Sequence, residues 1–159
     1  MSLATRPRVL FLCTGNSCRS QMAEGWTRHL FGERIDVCSA GTDPQSLNRL
    51  AVRGMREVGV DISAHTSKRV DSCSPATLDL VVTVCGHAYE NCPLFLRQNP
   101  RTRVVHRGFD DPPKLAAGAT TDDEAMPHYR RVRDEIRSFI ETLPSLLDQE
   151  TRTSGANAP

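Results

Sequence analysis

Two side chains that could do chemistry on an anion stand six positions apart near the start of the sequence. They are Cys13 and Arg19, and the residues between them are Thr14, Gly15, Asn16, Ser17 and Cys18. A cysteine thiolate is a nucleophile, and a guanidinium can donate two hydrogen bonds to a tetrahedral oxyanion. We expect Gly15 to let the backbone curl so that successive N–H groups point inward as an anion nest. The motif predicts a nucleophile in an oxyanion-binding loop.

The surroundings predicted for Cys13 favour negative charge. A helix after the loop would add its free N–H groups and the positive end of its dipole, and the Ser20 hydroxyl is near enough in sequence to donate to the sulfur. We therefore expect a Cys13 thiolate at neutral pH, although the pKa of a free cysteine is about 8.5. The alternative is a buried cysteine before an ordinary strand–helix turn.

The elements on either side of this loop can be predicted from hydrophobic patterning. Arg8 to Leu12 is a short apolar run without alternation, as in a strand that is covered on both faces. Ser20 is a plausible N-cap for a helix that follows, with Glu24 in its first turns. The apolar residues at helical spacing are Met22, Ala23, Trp26, Leu30 and Phe31. The order is strand, tight loop, helix.

The rest of the chain alternates between strand and helix patterns. Strands are predicted over Ile35 to Ser39, Leu78 to Cys85 and Arg103 to His106, and a helix over about 47–57 that Gly59 would end. A last amphipathic helix presents Tyr129, Val132, Ile136, Phe139, Ile140 and Leu143, with Pro144 expected to kink or shorten its end. This alternation predicts one doubly wound α/β domain over residues 1–150, with ligand sites beyond the carboxyl ends of parallel strands. We expect the polar residues 151–159 to be a disordered tail.

Composition excludes several classes of function. Lys plus Arg total 20 against 19 Asp plus Glu in 159 residues, so no overall field attracts nucleic acid or an anionic membrane. No apolar stretch approaches the 18 or so residues of a membrane helix, and no signal-peptide core is present at the N-terminus. We expect a monomeric protein whose six cysteines lie in a reducing cytoplasm.

Two further groups of residues could complement the loop. Asp110 and Asp111 stand in a proline-rich segment after the last predicted strand, where one carboxyl group could protonate a leaving oxygen. An Asp- and Pro-rich surface turn is the structural alternative. Cys85 ends the most β-like segment and Cys92 follows seven residues later, so the pair could be redox-active, packed in the core, or part of a zinc site with His87.

The segment VLFLCTGNSCRSQMAEG, residues 9–25, resembles the low-molecular-weight protein tyrosine phosphatase superfamily, specifically its arsenate reductase branch coupled to thioredoxin. The resemblance covers roughly Arg8 to Leu143. It implies a four-stranded parallel sheet flanked by helices, Cys13 as the nucleophile and Arg19 as the oxyanion clamp. Asp111, directly before Pro112, matches the general-acid position, with Asp110 as its weaker alternate.

The spacing of Cys85 and Cys92 matches the reductase branch, which implies a relay of three thiols. In it, Cys13 attacks arsenate, Cys85 attacks Cys13 to release arsenite, and Cys92 leaves a Cys85–Cys92 disulfide for thioredoxin. The residues between the last two cysteines could form one or two helical turns that unwind for this step. The relay does not require Cys18, and Cys38 and Cys73 have no predicted partner, so packing is expected for both.

One position departs from the resemblance. Some related reductases hold a potassium ion beside the loop, and Asn16, Glu24 and Ser39 match its ligands. After His65-Thr66-Ser67, however, Lys68 stands where such relatives carry an aspartate. Our hypothesis is that the Lys68 ammonium replaces the cation and pairs with Glu24; the alternative is that it points to solvent.

Two other functions remain open on the sequence. A phosphotyrosine phosphatase would use the same Cys13, Arg19 and Asp111 but would leave Cys85 and Cys92 idle, and the acid loop lacks the tyrosines that commonly wall a phosphatase cleft. A non-catalytic thiol sensor or oxyanion-binding module would not need a complete set of nucleophile, clamp and acid.

Overall fold

A computed structural model describes residues 6–148. Four parallel strands form one sheet in the order β2-β1-β3-β4, with β1 at Arg8–Cys13, β2 at Asp36–Gly41, β3 at Leu80–Thr83 and β4 at Arg103–His106. The predicted four-stranded parallel sheet flanked by helices is confirmed. The predicted tail at residues 151–159 lies outside the described residues.

Within the described residues, helices and two short 3₁₀ segments connect the strands or follow the last of them. The helices are α1 at Arg19–Phe31, α2 at Arg49–Glu57, α3 at Gly86–Glu90, α4 at Leu94–Gln98, α5 at Pro112–Leu115 and α6 at Asp122–Ile140, and the 3₁₀ segments are Val70–Cys73 and Pro75–Thr77. The predicted Ser20 cap is wrong, because α1 already begins at Arg19 after Cys18. Pro144 does not kink the last long helix either, since α6 ends four residues before it.

The core lies around the two central strands. Every residue of β3 and all but the first of β1 are buried, as expected of strands that are covered on both faces. Helix α1 packs against β1, β2 and α6, and the Trp26 indole N–H donates to the Arg133 carbonyl oxygen at 3.0 Å. The predicted apolar face of the last helix is confirmed within α6, since Tyr129, Val132, Ile136 and Ile140 are buried and Phe139 is partly buried. Leu143 is also buried, but it lies after the end of α6.

Within residues 6–148, no helix is both long and apolar enough to cross a bilayer.

The strands deliver the predicted reactive residues to one edge. Cys13 is the last residue of β1 and pairs in register with Gly41 at the end of β2. Leu12 pairs with Thr83 at the end of β3, two residues before Cys85. The carboxyl edge of the sheet therefore holds both cysteines, in the place where open α/β sheets carry their sites.

Candidate active site

The backbone between β1 and α1 turns its carbonyl groups outward. Four carbonyl oxygens accept hydrogen bonds from N–H groups of the segment 42–48, in the pairs Cys13 with Thr42, Thr14 with Asp43, Gly15 with Gln45 and Ser17 with Asn48, at 2.8–3.1 Å. Because a trans peptide places its N–H opposite its carbonyl group, the N–H groups that follow these carbonyls turn toward the inside of the loop. The loop is an anion nest of the predicted kind.

The curl of the loop comes from Asn16 and not from Gly15. Asn16 has φ of 49°, whereas Gly15 does not adopt a positive φ. The expectation for Gly15 was wrong because asparagine tolerates the left-handed region when its side chain is held by local hydrogen bonds. Asn16 is fully buried and its amide group donates to Ser20 Oγ and Ser39 Oγ, both at 2.9 Å.

Gly41 lets β2 approach the loop closely. A Cβ atom at this position would lie 2.4 Å from the Thr14 carbonyl oxygen and 3.0 Å from the Asn16 nitrogen. Neither is the end of a flexible side chain, so the backbone would have to shift. The sequence does not predict this role of Gly41, because it depends on a contact between segments that are distant in the chain.

Arg19 is oriented toward the loop by residues after β4. Its Nη1 donates to the Phe109 carbonyl oxygen at 3.0 Å, and its Nη2 lies 3.6 Å from Asp111 Oδ1. Its Nε is buried and has no hydrogen-bond partner within the described chain. This donor and the inward N–H groups fit a tetrahedral oxyanion.

The two candidate acids have different surroundings. Asp111 lies beside Arg19 with 37% of its side chain exposed, immediately before α5. Asp110 is 63% exposed and pairs with Arg131 at 3.0 Å. Asp111 is therefore the carboxyl group next to Arg19 of the anion-binding loop, whereas Asp110 lies against Arg131.

The side chains of Cys13 and Cys85 lie close enough together to shift each other's pKa. The hydrogen bond to Cys85 and burial raise the pKa of Cys13 well above its usual range, against the opposing charge of Arg19. The hydrogen bond from Cys13 lowers the pKa of Cys85 to about 4, against the effect of burial. The two sulfurs therefore titrate as a pair, and the Cys13 thiolate stays a prediction.

The Cys85 sulfur has donors besides Cys13. Thr14 Oγ1 lies 3.4 Å from it, and the Ala88 N–H donates to it at 3.4 Å. Both contacts also lower the pKa of Cys85. Thr14 Oγ1 is hydrogen-bonded to His87 Nδ1 at 3.0 Å, so the loop touches both the second cysteine and the helix that follows it. The sequence does not predict the contacts of Thr14 with Cys85 and His87.

Cys92 and Cys18 differ from that pair. Both are buried free thiols, and burial raises the pKa of each. Helix α3 separates Cys85 from Cys92, where one or two helical turns were predicted. Within residues 6–148, no three His, Cys, Asp or Glu side chains are placed to hold a metal ion.

Charged and polar side chains form a hydrogen-bonded network that contacts the loop at Asn16. Lys68 Nζ lies 3.4 Å from Glu24 Oε1 and 3.3 Å from the Thr66 carbonyl oxygen. The same Glu24 oxygen accepts from Ser39 Oγ at 2.7 Å, and the Lys68 backbone N–H donates to Asn16 Oδ1 at 2.9 Å. Burial raises the pKa of Glu24, but the hydrogen bonds from Ser39 and Arg28 outweigh it and lower the pKa.

Cys38 and Cys73 form a disulfide. The expectation that neither has a partner was wrong, because the residues lie 35 positions apart and only the fold brings the 3₁₀ segment Val70–Cys73 against strand β2. The spacing of Cys38 and Cys73 in the sequence does not predict this contact.

The chain is similar to known proteins both in sequence and in fold. Residues 8–153 match the family described as low molecular weight phosphotyrosine protein phosphatase. The arsenate reductase of Halalkalibacterium halodurans is 51% identical over 85% of this chain and 93% of its own length. A solved arsenate reductase in the phosphate-binding state superimposes with a TM-score of 0.72 at 30% identity, covering 89% of this chain and 98% of the other.

A thioredoxin-dependent arsenate reductase from Corynebacterium glutamicum superimposes with a TM-score of 0.67 at 25% identity, over 94% of this chain and 65% of its own. The sequence match spans the anion-binding loop, Asp111 and both cysteines of the 85–92 segment. This chain therefore belongs to the low molecular weight phosphotyrosine protein phosphatase family.

Proposed function

We propose that the protein is an arsenate reductase that passes an oxidation through three thiols to thioredoxin. The position of Cys85 beside the loop carries this conclusion, with the Cys85 sulfur 3.4 Å from Thr14 Oγ1, because a phosphatase needs no second thiol at its nucleophile. The names of the relatives support it, since arsenate reductases are 51% and 47% identical to this chain. A neighbour that is named thioredoxin-dependent supports the choice of reductant.

In the first step, Cys13 attacks the arsenic of arsenate in the loop. Its proton passes to its hydrogen-bond acceptor, Cys85, and a sulfur–arsenic bond forms. Asp111 donates a proton to the oxygen that leaves as water, while the Arg19 guanidinium and the loop N–H groups hold the remaining oxygens. No oxidation has yet occurred.

In the second step, the Cys85 sulfur attacks the Cys13 sulfur. A Cys13–Cys85 bond forms and the sulfur–arsenic bond breaks, so its electron pair leaves with arsenic, which is reduced from As(V) to As(III). The Cys85 proton leaves with the arsenite. Cys92 then attacks Cys85, which frees Cys13 as a thiol and leaves a Cys85–Cys92 disulfide. A dithiol of thioredoxin reduces that disulfide.

The test compares the two activities that this family supports. Arsenate-dependent oxidation of NADPH in the presence of thioredoxin and thioredoxin reductase should greatly exceed hydrolysis of a chromogenic phosphate ester. Cys85→Ser should abolish the first activity and spare the second, because serine leaves the loop intact but cannot accept the oxidation. Ester hydrolysis as the dominant activity, insensitive to Cys85→Ser, would establish a phosphatase.

We also propose that Lys68 supplies the positive charge that some relatives take from potassium. Its ammonium is within 3.4 Å of Glu24 and Thr66 oxygens, which places it among the groups that resemble potassium ligands. Replacing sodium by potassium should leave arsenate turnover unchanged, whereas stimulation of several-fold would refute this role. Lys68→Met should lower turnover in both salts, because Glu24 loses a cationic partner under the loop.

The cytoplasmic location and the monomeric state belong to the proposal as well. A nearly balanced charge supports a protein without affinity for nucleic acid or anionic membranes. Sedimentation of the full chain at micromolar concentration should give a single species of about the 17.6 kDa chain mass.

A further inference from the structure

A surface cavity lies beside the disulfide between Cys38 and Cys73. Its volume is about 470 Å³ and its lining includes both cysteines with Arg6, Arg8, Arg28 and Asp36. Cys38 lies in β2 opposite Leu10, three residues before the sheet edge that carries Cys13. The cavity is therefore separate from the anion-binding loop, and the relay does not use its cysteines.

The cavity is positively charged. Its lining holds three guanidinium groups against one carboxylate. Arg6 pairs with Asp36 at 2.8 Å, whereas Arg8 Nη1 lies 4.0 Å from the same carboxylate, and Arg8 Nε is buried without a hydrogen-bond partner within the described chain. Arg28 is already paired with Glu24 at 2.8 Å, and Arg6 and Arg8 share Asp36, so the lining keeps an excess of one positive charge and favours ligands that carry carboxylates.

The two cysteines are unequally exposed. Cys38 is partly exposed, while Cys73 is 2% exposed. Thiol–disulfide exchange needs access of a thiolate to one sulfur, so attack from the cavity would fall on Cys38. A surface disulfide beside excess positive charge therefore combines a reactive bond with the means to bind an anionic thiol.

We propose that the Cys38–Cys73 disulfide is a thiol-exchange site for small carboxylate-bearing thiols that bind between Arg6 and Arg8. This site is additional to the proposed arsenate reduction and does not depend on it. Glutathione is a suitable probe because it carries two carboxylates near its thiol.

The exchange balances as two displacements. The thiolate of the first small thiol attacks Cys38 Sγ, a mixed disulfide forms, and the Cys38–Cys73 bond breaks with its electron pair on Cys73, which takes up a proton. A second thiolate attacks the external sulfur of the mixed disulfide and releases the Cys38 thiolate, which is protonated in turn. The protein disulfide gains two electrons, and the two small thiols leave as their own disulfide.

The experiment uses the full chain after air oxidation. Peptide mapping with differential alkylation follows the appearance of free Cys38 and Cys73 in glutathione and in glutathione diethyl ester, at equal thiolate concentration. At low ionic strength glutathione should open the bond faster by about 5-fold or more, and added salt should remove the difference. Equal rates in both thiols, or an oxidised protein without this disulfide, would overturn the proposal.

A pair of variants assigns the effect to the cavity. Arg6→Gln should reduce the preference for glutathione over its ester by at least half. Arg101→Gln is the matched control, since Arg101 is similarly exposed and also pairs with one aspartate, Asp79, but does not line the cavity. The same loss of preference in both variants would contradict a site at Arg6. The comparison of the two thiols on the unsubstituted protein stands if either variant does not fold.

Discussion

Cys13, the predicted nucleophile, lies next to a second cysteine, Cys85. The sequence predicts that Cys13 lies in an anion nest as a thiolate, and the fold adds the Cys85 sulfur beside it. Contacts with Cys13, Thr14 and the Ala88 N–H lower the pKa of Cys85. The two sulfurs therefore titrate as a pair.

We predict a thiolate absorbance at 240 nm that disappears as the pH falls through about 4, the pKa of Cys85. Because this pKa lies below the value of about 8.5 for an unfolded cysteine, the unfolded chain binds more protons between these values. Stability should therefore rise with pH across that interval, and the contribution of Cys85 should be lost below pH 4.

Two variants test the assignment of that absorbance. Thr14→Val removes a donor to the sulfur and should move the midpoint upward, whereas Cys92→Ser should leave it in place. An absorbance step that survives Cys85→Ser would assign the thiolate to another residue.

Asp111→Asn should lower kcat for arsenate by about 10²–10⁴-fold, the usual range for a general acid. Asp110→Asn is the matched control one position earlier, and it should retain most of the activity because Asp110 pairs with Arg131 at the surface. Steady-state kinetics with the thioredoxin system measures both. Equal losses in the two variants would argue against a specific acid at Asp111.

At the scale of elements, the backbone of the anion-binding loop is held in place by residues 42–48, which contribute no reactive side chain. The N–H groups of residues 42–48 hold four loop carbonyls outward, and Gly41 allows this approach. A motif search finds Cys13 and Arg19 because their types and spacing are local. It does not find Gly41 or the role of Asn16, because these depend on hydrogen bonds and close contacts between segments that only folding brings together.

Gly41→Ala should therefore abolish arsenate turnover and lower the melting temperature. The added Cβ would lie 2.4 Å from the Thr14 carbonyl oxygen, whereas a Cβ at Gly118 would meet nothing within 4 Å. Gly118→Ala is the control and should behave as the unsubstituted protein does in thermal melts and activity assays. A Gly41→Ala enzyme with normal turnover would show that the loop tolerates a shift of its backbone.

At the scale of the whole molecule, periodicity predicted the strands, the sheet type and the apolar face of α6, because burial on both faces of a central strand leaves a local pattern. It did not predict the disulfide between Cys38, which lies in the outer strand β2, and Cys73, which lies in the 3₁₀ segment Val70–Cys73. Alternation of hydrophobic residues specifies faces, but it does not specify which loop covers an edge strand.

In the proposed relay, the disulfide is passed from Cys13 to Cys92, and the three cysteines lie on different elements of the fold. Cys13 lies at the end of β1, Cys85 precedes α3 and Cys92 follows it, so the last step requires α3 to rearrange. Gly86, the first residue of α3, has open space around its missing Cβ, which is compatible with such a movement. The proposed relay therefore predicts that Cys92 is dispensable for arsenite release and essential for regeneration.

The most direct test is the number of arsenite molecules that Cys92→Ser releases per enzyme. The relay predicts one arsenite per enzyme in a rapid burst, followed by no further turnover with thioredoxin, because the oxidation cannot leave the Cys13–Cys85 pair. Unchanged steady-state turnover by Cys92→Ser, or no arsenite at all from this correctly folded variant, would contradict the three-thiol account.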